Sequence, residues 1–387
     1  MILYLLLATL LPLTYSFNIP ASNLIDASNI IKSKQFEKSN FDVSEIKKFF
    51  KNDDSYNPTY SVGIIGATGA VGQEIINCLH KTQFPVSELN LYTSKKSSNK
   101  IISTPFGRHY TKEFEIEHAK ECNFLFLAVS GDFSKKNAVE LCEKGAFVID
   151  NSSAFRYDDN VPLVIPEINK HKIKGKRLIA NPNCTTAIAL MALFPIFKLF
   201  GLTKVIMSTY QAASGAGSKG IIELEESLKD KNYKNEVFTH PLAFNVIPHI
   251  DKFQDNKYTK EEMKVSWEIQ KILEVPNLPV SCTAVRIPTI RAHSEAVTVE
   301  TEKPINYNLL KTEFDSFSGL KVVDNPEKNI YPMPLTASES YDVEVGRIRP
   351  SLIFGDFGLD MFICGDQLLR GAALNAVLIA KSIAEEI

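Results

Sequence analysis

The sequence predicts an α/β protein whose first half folds as a doubly wound parallel sheet, and three observations carry that expectation. The run Tyr60–Ile65 has the apolar, β-branched character of a buried strand. It leads directly into Gly66-Ala67-Thr68-Gly69-Ala70-Val71-Gly72 and then into a helical pattern over residues 73–80. Two further apolar strand runs, 124–129 and 147–149, enclose a helical pattern over residues 134–144, which completes a β-α-β-α-β order by Asp150.

Composition narrows the class. A chain of 387 residues is long enough for two domains. Its hydrophobic content of 44% and charged content of 23% are those of a soluble globular protein. A net charge of −2 with no polybasic block gives no reason to expect a nucleic-acid partner. Cys78, Cys122, Cys142, Cys184, Cys282 and Cys364 are scattered without a CxxC spacing, which reads as reduced thiols and not a disulfide framework. The histidines include no HxxxH pair, so no metal site is expected.

The beginning of the chain differs from the rest. Residues 1–14 are almost wholly apolar, and Ser16 places a small residue before Phe17. The run is too short to span a bilayer and resembles the apolar region of a signal peptide. Residues 1–16 are therefore expected to be signal-like and residues 17–57, rich in Ser, Asn, Lys and Ile, a leader. The combination resembles the bipartite targeting sequences of algae with complex plastids, with the secretory pathway as the alternative. The glycosylation sequon Asn183-Cys184-Thr185 argues against long residence in that pathway. No membrane association is expected once the leader is removed.

Glycine spacing after the first strand suits dinucleotide phosphate. Gly66, Thr68, Gly69, Ala70 and Val71 lie where backbone approaches a pyrophosphate and a helix N-terminus receives it. The alternative is a tight strand–helix turn. The next strand, 89–92, ends in Thr93-Ser94-Lys95-Lys96-Ser97, where an NAD-binding chain usually carries an acidic residue. Lys96 and Ser97 suit a 2′-phosphate and favour NADP; a solvated basic loop is the other reading.

The second half carries reactive groups. Cys184 follows Asn181-Pro182-Asn183 and precedes an apolar helical run over residues 187–200, which places its sulfur at a helix N-terminus where a thiolate is stabilised. Arg156, in Asn151-Ser152-Ser153-Ala154-Phe155-Arg156, falls in a loop at the carboxyl ends of the parallel strands, as an oxyanion clamp or a surface ion pair. A strand over 204–209 runs into Gln211 and the small residues that include Ser214 and Gly215, where backbone can approach a ligand closely. Gln211 would meet a substrate carbonyl or serve the structure. Glu261 and Lys264 are i,i+3 neighbours on a helix over Lys260–Leu273, as a surface ion pair or as a clamp for an amino group and a phosphate. Arg286 and His293 are expected to share one element, interrupted at Pro288 so that both reach one cleft. Together these groups suggest a dehydrogenase that works through a thioester.

In combination, GATGAVG, SKKS, NSSAFR, NPNCTT, YQAASGAG, EEMK and VRIPTIRAHSE occur in an order that resembles the aspartate-β-semialdehyde dehydrogenase family from about residue 60 to the C-terminus. The resemblance implies NADP-dependent reductive dephosphorylation of L-aspartyl 4-phosphate to L-aspartate 4-semialdehyde, in lysine, threonine and methionine biosynthesis. It implies Cys184 as the acyl-forming nucleophile and His293 as the general acid/base. Arg286 would hold the substrate carboxylate, Glu261 its amino group, and Gln211 the acyl group. Arg156 and Lys264 would hold phosphate. Thr68 to Val71, Lys96, Ser97, Ser214, Gly215 and Gln367 would contact NADP; the family usually has Arg at Lys96 and often Asn at Gln367. The implied architecture is a Rossmann-like NADP-binding domain (58–183), an inserted α+β catalytic and dimerisation domain (184–364), and a returning helix (365–387) with Leu368, Ala372, Val377 and Ala380 on its apolar face. A homodimer or homotetramer is expected. An N-acetylglutamyl-phosphate reductase is the nearest rival, and a non-catalytic NADP-binding protein a rival of another class. A glyceraldehyde-phosphate dehydrogenase would need acidic chemistry after the second strand, which is absent.

Overall fold

The computed structural model describes residues 59–230 and 232–387. The signal-like segment 1–16 and the leader 17–57 lie outside the described residues.

The chain starts as anticipated. Strand β1 (Tyr60–Ile65) feeds the glycine turn and helix α1 (Ala70–Lys81), followed by β2 (Val86–Thr93). Gly66 has φ +92, and a Cβ there would meet the Ala128 carbonyl. Only glycine adopts that turn without strain. Strands β3 (Ile101–Thr104) and β4 (Gly107–Glu113) come next, then β5 (Phe124–Leu127), α2 (Gly131–Glu143), β6 (Phe147–Asp150) and β7 (Leu178–Ala180). They form one 7-stranded sheet in the order β3-β4-β2-β1-β5-β6-β7. All neighbours pair in parallel except β3 with β4. Strand order reverses between β1 and β5, so the sheet has the switch point at which α/β proteins bind ligands.

Both faces of this sheet are covered. Ile65, Leu125 and Leu127 pack with Ala138 and Leu141 of α2 on one side. Ile64, Phe124 and Phe126 pack on the other with Ile75 and Leu79 of α1. That second layer also takes in Val377, Ala380 and Ile383 from the C-terminal segment.

Helix α3 (Cys184–Phe200) leads out of the first sheet into β8 (Lys204–Gln211), α4 (Ser218–Lys229), α5 (Lys260–Leu273), β9 (Val280–Arg286), β10 (His293–Glu300), α6 (Tyr307–Ser316), β11 (Leu320–Val322), β12 (Val343–Ser351) and β13 (Gly355–Gly365). The second sheet is 6-stranded, in the order β11-β12-β13-β10-β8-β9. It is mixed: β8–β9 and β11–β12 are parallel, and the other neighbours antiparallel. Its inner face, with Val205, Met207, Val297, Val299 and Met361, packs on α3 and on Val265 and Ile269 of α5. Helix α5 starts at a capping box, in which Thr259 and Glu262 bond each other's backbone N–H.

Two expectations are corrected. Arg286 and His293 do not share an element: Arg286 ends β9 and His293 begins β10, with β8 between these strands in the sheet. The returning segment 365–387 is not one continuous helix. A π-helical turn over Leu369–Ala373 precedes α7 (Leu374–Glu386), and Gln367 lies before both. The apolar face is also wider than predicted. Leu369, Leu374, Ala376 and Ile379 join Val377 and Ala380 in the core, while Ala372 is only half-buried.

Candidate active site

Cys184 is the first residue of α3, and Asn183 caps the helix. The Asn183 carboxamide oxygen accepts from Thr185 N–H at 3.0 Å and from Thr186 N–H at 3.3 Å. The amide nitrogen of the same side chain donates to Glu261 Oε1 at 3.0 Å. Gln211 Nε2 donates to the same oxygen at 3.2 Å, and Lys264 Nζ approaches Glu261 Oε2 at 3.0 Å. A hydrogen-bonded chain therefore joins the cap of α3, the end of β8 and the first turn of α5.

His293 is fully buried beside this chain. Its Nδ1 accepts from Ala212 N–H at 3.0 Å, whereas Gln211 Nε2 lies 3.5 Å from Nε2, the outer limit of a hydrogen bond. The firm Ala212 contact places the proton of the neutral ring on Nε2. Arg286 reaches the same place from β9: its Nη1 donates to the Ala212 carbonyl at 2.6 Å, and its guanidinium lies over the Phe238 ring at 5.8 Å. Gly215 sits against both groups. A Cβ on it would lie 2.7 Å from Arg286 Nη1 and 3.2 Å from the His293 ring. Ser214 bonds the Ile290 carbonyl and receives Gln367 Nε2, while Gln367 Oε1 accepts from Ala292 N–H at 2.8 Å.

Arg156 is buried, and the surface reading of its ion pair fails. Its Nε and Nη2 donate to the carbonyls of Asn181 and Asn151, each at 2.8 Å, and its Nη1 to Glu268 Oε1 at 3.1 Å. The Glu261–Lys264 pair is likewise mostly buried, and Lys264 also meets Asp251 Oδ2 at 2.8 Å. Burial forces these charges to find partners.

The electrostatics correct one expectation. Burial, then the Glu261 carboxylate, pushes the Cys184 thiol up to about 11, against the Arg156 and Arg286 charges and a hydrogen bond with Thr185. The helix N-terminus does not make a free thiolate here, because desolvation disfavours the charged sulfur more strongly. Burial and the Arg286 charge hold His293 down at about 3. Glu261 is pushed up by burial, yet the Lys264 charge and the bonds from Asn183, Lys264 and Gln211 keep it below the ordinary carboxylate range.

The predicted cofactor residues form two groups. Gly66, Thr68, Gly69, Ala70 and Val71 lie in the turn between β1 and α1, or in the first residues of that helix. Gly69, the N-cap of α1, makes no side-chain cap, so the helix N-terminus retains N–H groups for an anion. Lys96 and Ser97 lie in the turn Lys95–Ser97 directly after β2, the strand beside β1, and Lys96 is exposed. These residues suit a dinucleotide: Gly66, at a positive φ, leaves no Cβ in the turn, and the basic turn follows the neighbouring strand. Ser214 and Gly215, with Gln367 bonded to Ser214, form the second group, beside Arg286 and His293.

Residues that the sequence did not single out complete the site. Glu268 holds Arg156, and Phe238 lies under Arg286. Gly371, in the π-helical turn, packs on Cys184: a Cβ there would lie 2.6 Å from Cys184 Cβ and 3.0 Å from its Cα. Glu268 does share a face of α5 with Glu261, two turns away, and that spacing was the available signal.

Comparison with known proteins agrees with this geometry. A family model for the NAD-binding domain of semialdehyde dehydrogenases matches residues 61–176, and one for their dimerisation domain matches residues 193–370. The aspartate-semialdehyde dehydrogenase of Aquifex aeolicus is 42% identical over 337 residues, covering 84% of this chain and 98% of that protein. The chain belongs to the aspartate-semialdehyde dehydrogenase family. The family member from Synechocystis is 40% identical over 329 residues, covering 84% of this chain and 97% of its own length. Among solved structures, aspartate semialdehyde dehydrogenase II from Vibrio cholerae, complexed with ASA, is 36% identical and superposes with a TM-score of 0.81 over 85% of this chain and 99% of that one. The aspartate semialdehyde dehydrogenase of Candida albicans with NADP shares the fold, at a TM-score of 0.66 and 23% identity, over 85% of this chain and 100% of its own. Membership makes the chain a phosphorylating aldehyde dehydrogenase with a nicotinamide cofactor and a place in amino-acid biosynthesis from aspartate.

Proposed function

We propose that this enzyme uses NADP to reduce L-aspartyl 4-phosphate to L-aspartate 4-semialdehyde through a thioester on Cys184, in the route to lysine, threonine and methionine. The observation that carries this reading is the continuous chain Asn183–Glu261–Gln211 beside Cys184, His293 and Arg286. A carboxylate that suits an ammonium group and a guanidinium that suits a carboxylate both act on the Cys184 sulfur, and the imidazole meets the same chain through Gln211, which supports this reading. The Cys184 sulfur attacks the acyl carbon as its thiol proton passes to the departing phosphate; the carbon–oxygen bond to phosphate breaks, and Arg156 and Lys264 take the released anion. Gln211 orients the acyl oxygen. Bound NADPH supplies the hydride that reduces the thioester carbonyl. His293 Nε2–H donates a hydrogen bond to the developing alkoxide; collapse of that alkoxide breaks the carbon–sulfur bond and frees the aldehyde, and the released Cys184 sulfur regains its proton from water.

NADP preference rests on Lys96, Ser97 and Lys95 after β2. Homodimerisation rests on the outer face of the second sheet, and delivery to a plastid on the leader sequence alone. The test is phosphate-dependent reduction of NADP with aspartate semialdehyde beside N-acetylglutamate semialdehyde, for the wild type, Cys184→Ser and Lys96→Ala. Turnover of the aspartate compound is expected to fall at least about 10³-fold in Cys184→Ser, because a hydroxyl is far less ionised than a thiol. Lys96→Ala is expected to raise KM for NADP more than for NAD. Preference for the N-acetylated substrate, or near-normal turnover without the cysteine, would overturn the reading.

A further inference from the structure

Glu268 is a charged residue at the centre of this site to which the reaction assigns no task. It is fully buried in α5. Its Oε1 accepts from Arg156 Nη1 at 3.1 Å and from the Tyr157 hydroxyl at 3.3 Å. Its Oε2 accepts from the backbone N–H of Asn183 at 2.6 Å. One carboxylate thus holds two parts of the site that come from different elements. Arg156 belongs to the loop after β6, and Asn183 is the cap residue directly before Cys184.

We propose that Glu268 is a positioning residue that aligns Arg156 with the departing phosphate and, through Asn183, fixes the turn that presents Cys184. The inference rests on the reading of Arg156 as a phosphate-binding group. The other anchors of Arg156 are neutral carbonyls, those of Asn151 and Asn181, so Glu268 is the one anionic partner among its hydrogen bonds. That partner sets the plane of the guanidinium fork, and the plane decides whether two N–H groups can meet a phosphate together. Asn183 N–H and Arg156 are both donors. A carboxylate can receive one on each oxygen, whereas an amide would turn its NH₂ toward one of them.

The decisive variant is Glu268→Asp, which keeps the charge and shortens the reach by one methylene. It cannot bridge Arg156 and Asn183 from the backbone position of α5. In the phosphorylating direction, KM for phosphate is expected to rise at least about tenfold and kcat to fall, because a misplaced clamp and nucleophile cost transition-state contacts. KM for aspartate semialdehyde should stay within about twofold. Glu268→Gln, which loses the charge and one acceptor, should show the same selectivity and serves if the aspartate variant does not fold. Arg156→Ala is the control on the underlying reading: an unchanged KM for phosphate there would remove Arg156 from phosphate binding, whatever Glu268 does. A phosphate defect in Arg156→Ala but none in either Glu268 variant would overturn the positioning role alone. So would an equal rise in both KM values accompanied by a lowered Tm, since that is the signature of a merely structural residue.

Discussion

Cys184 sits in surroundings that oppose its own ionisation. Burial and the Glu261 carboxylate raise the thiol, so in the free enzyme at neutral pH the sulfur holds its proton. Glu261 is also the proposed partner of the substrate ammonium. Binding of an ammonium group would offset the Glu261 charge, the smaller, after burial, of the two causes that raise the thiol. Carboxamidomethylation of the Cys184 peptide, followed by mass spectrometry, is expected to be slow at pH 7 and to accelerate toward about pH 11. In Glu261→Gln the curve should move to lower pH, because a charge that disfavours the thiolate is gone; an unmoved curve would show that Glu261 does not govern the sulfur. His293 has the opposite shift. Held at about 3, the ring is neutral over the working range and protonates only as pH falls through that value. The kcat/KM profile should therefore show no imidazole limb near pH 6.5. His293→Asn should lower kcat about 10²–10⁴-fold with a smaller change in KM. A change confined to KM would make His293 a binding residue.

At the scale of elements, Cys184 packs against the π-helical turn over Leu369–Ala373. Gly371 has no room for a side chain beside Cys184. Gly371→Ala is expected to overpack that contact by about 1–3 kcal/mol and to displace the sulfur. The measurements are Tm and kcat, and unaltered values of both would mean that the close approach is immaterial. The same region shows where sequence reasoning stops. The unit of β1, glycine turn and α1 is legible because glycine spacing and apolar periodicity are local signals. So are α5, with its capping box, and Cys184 at the start of α3. The π-helical turn is not legible, since Leu368 to Ala373 have an ordinary helical composition and only packing on Cys184 distinguishes them. Strands β3 and β4 escaped notice because they lie at a sheet edge, with Ile101 and Tyr110 exposed and little apolar alternation. Pro288 signalled a break between Arg286 and His293. It could not reveal that the chain crosses over β8 there, or that Ala292 takes a left-handed φ of 66 just before the histidine. Glu268 stayed hidden because its partners, Arg156 and Asn183, are remote in sequence and only folding shows that they meet.

For the whole molecule, the second sheet has one face packed on helices and one left uncovered among the described residues. Along β8, Val205, Met207, Thr209 and Gln211 point inward, while Ile206 and Tyr210 point outward with Phe362 of β13 beside Tyr210, their rings 6.3 Å apart. This face belongs to the segment matched by the dimerisation-domain model, so it is where a second copy is expected to bind. Ile206→Asp should shift the protein toward monomer in sedimentation velocity, since a charge on an apolar interface is left unpaired when buried. An unchanged sedimentation coefficient would place the interface elsewhere. The two halves are also tied within one chain. Arg291, two residues before His293, meets Glu74 of α1 at 2.8 Å and Asp366 at 2.5 Å, so this arginine ties the first helix to the end of the second sheet.

The return of the chain to Cys184 has a consequence for synthesis on the ribosome. Asn181 Oδ1 accepts from the Asn375 amide at 2.7 Å, and Gly371 closes over the cysteine. Cys184 emerges before the residues that enclose it. A nascent chain that has yet to deliver residues 366–383 carries the cysteine without those residues around it, and the parallel sheet without the helix that covers one of its faces. A product cut short before residue 366 would retain the nucleotide turn without the residues that close over Cys184.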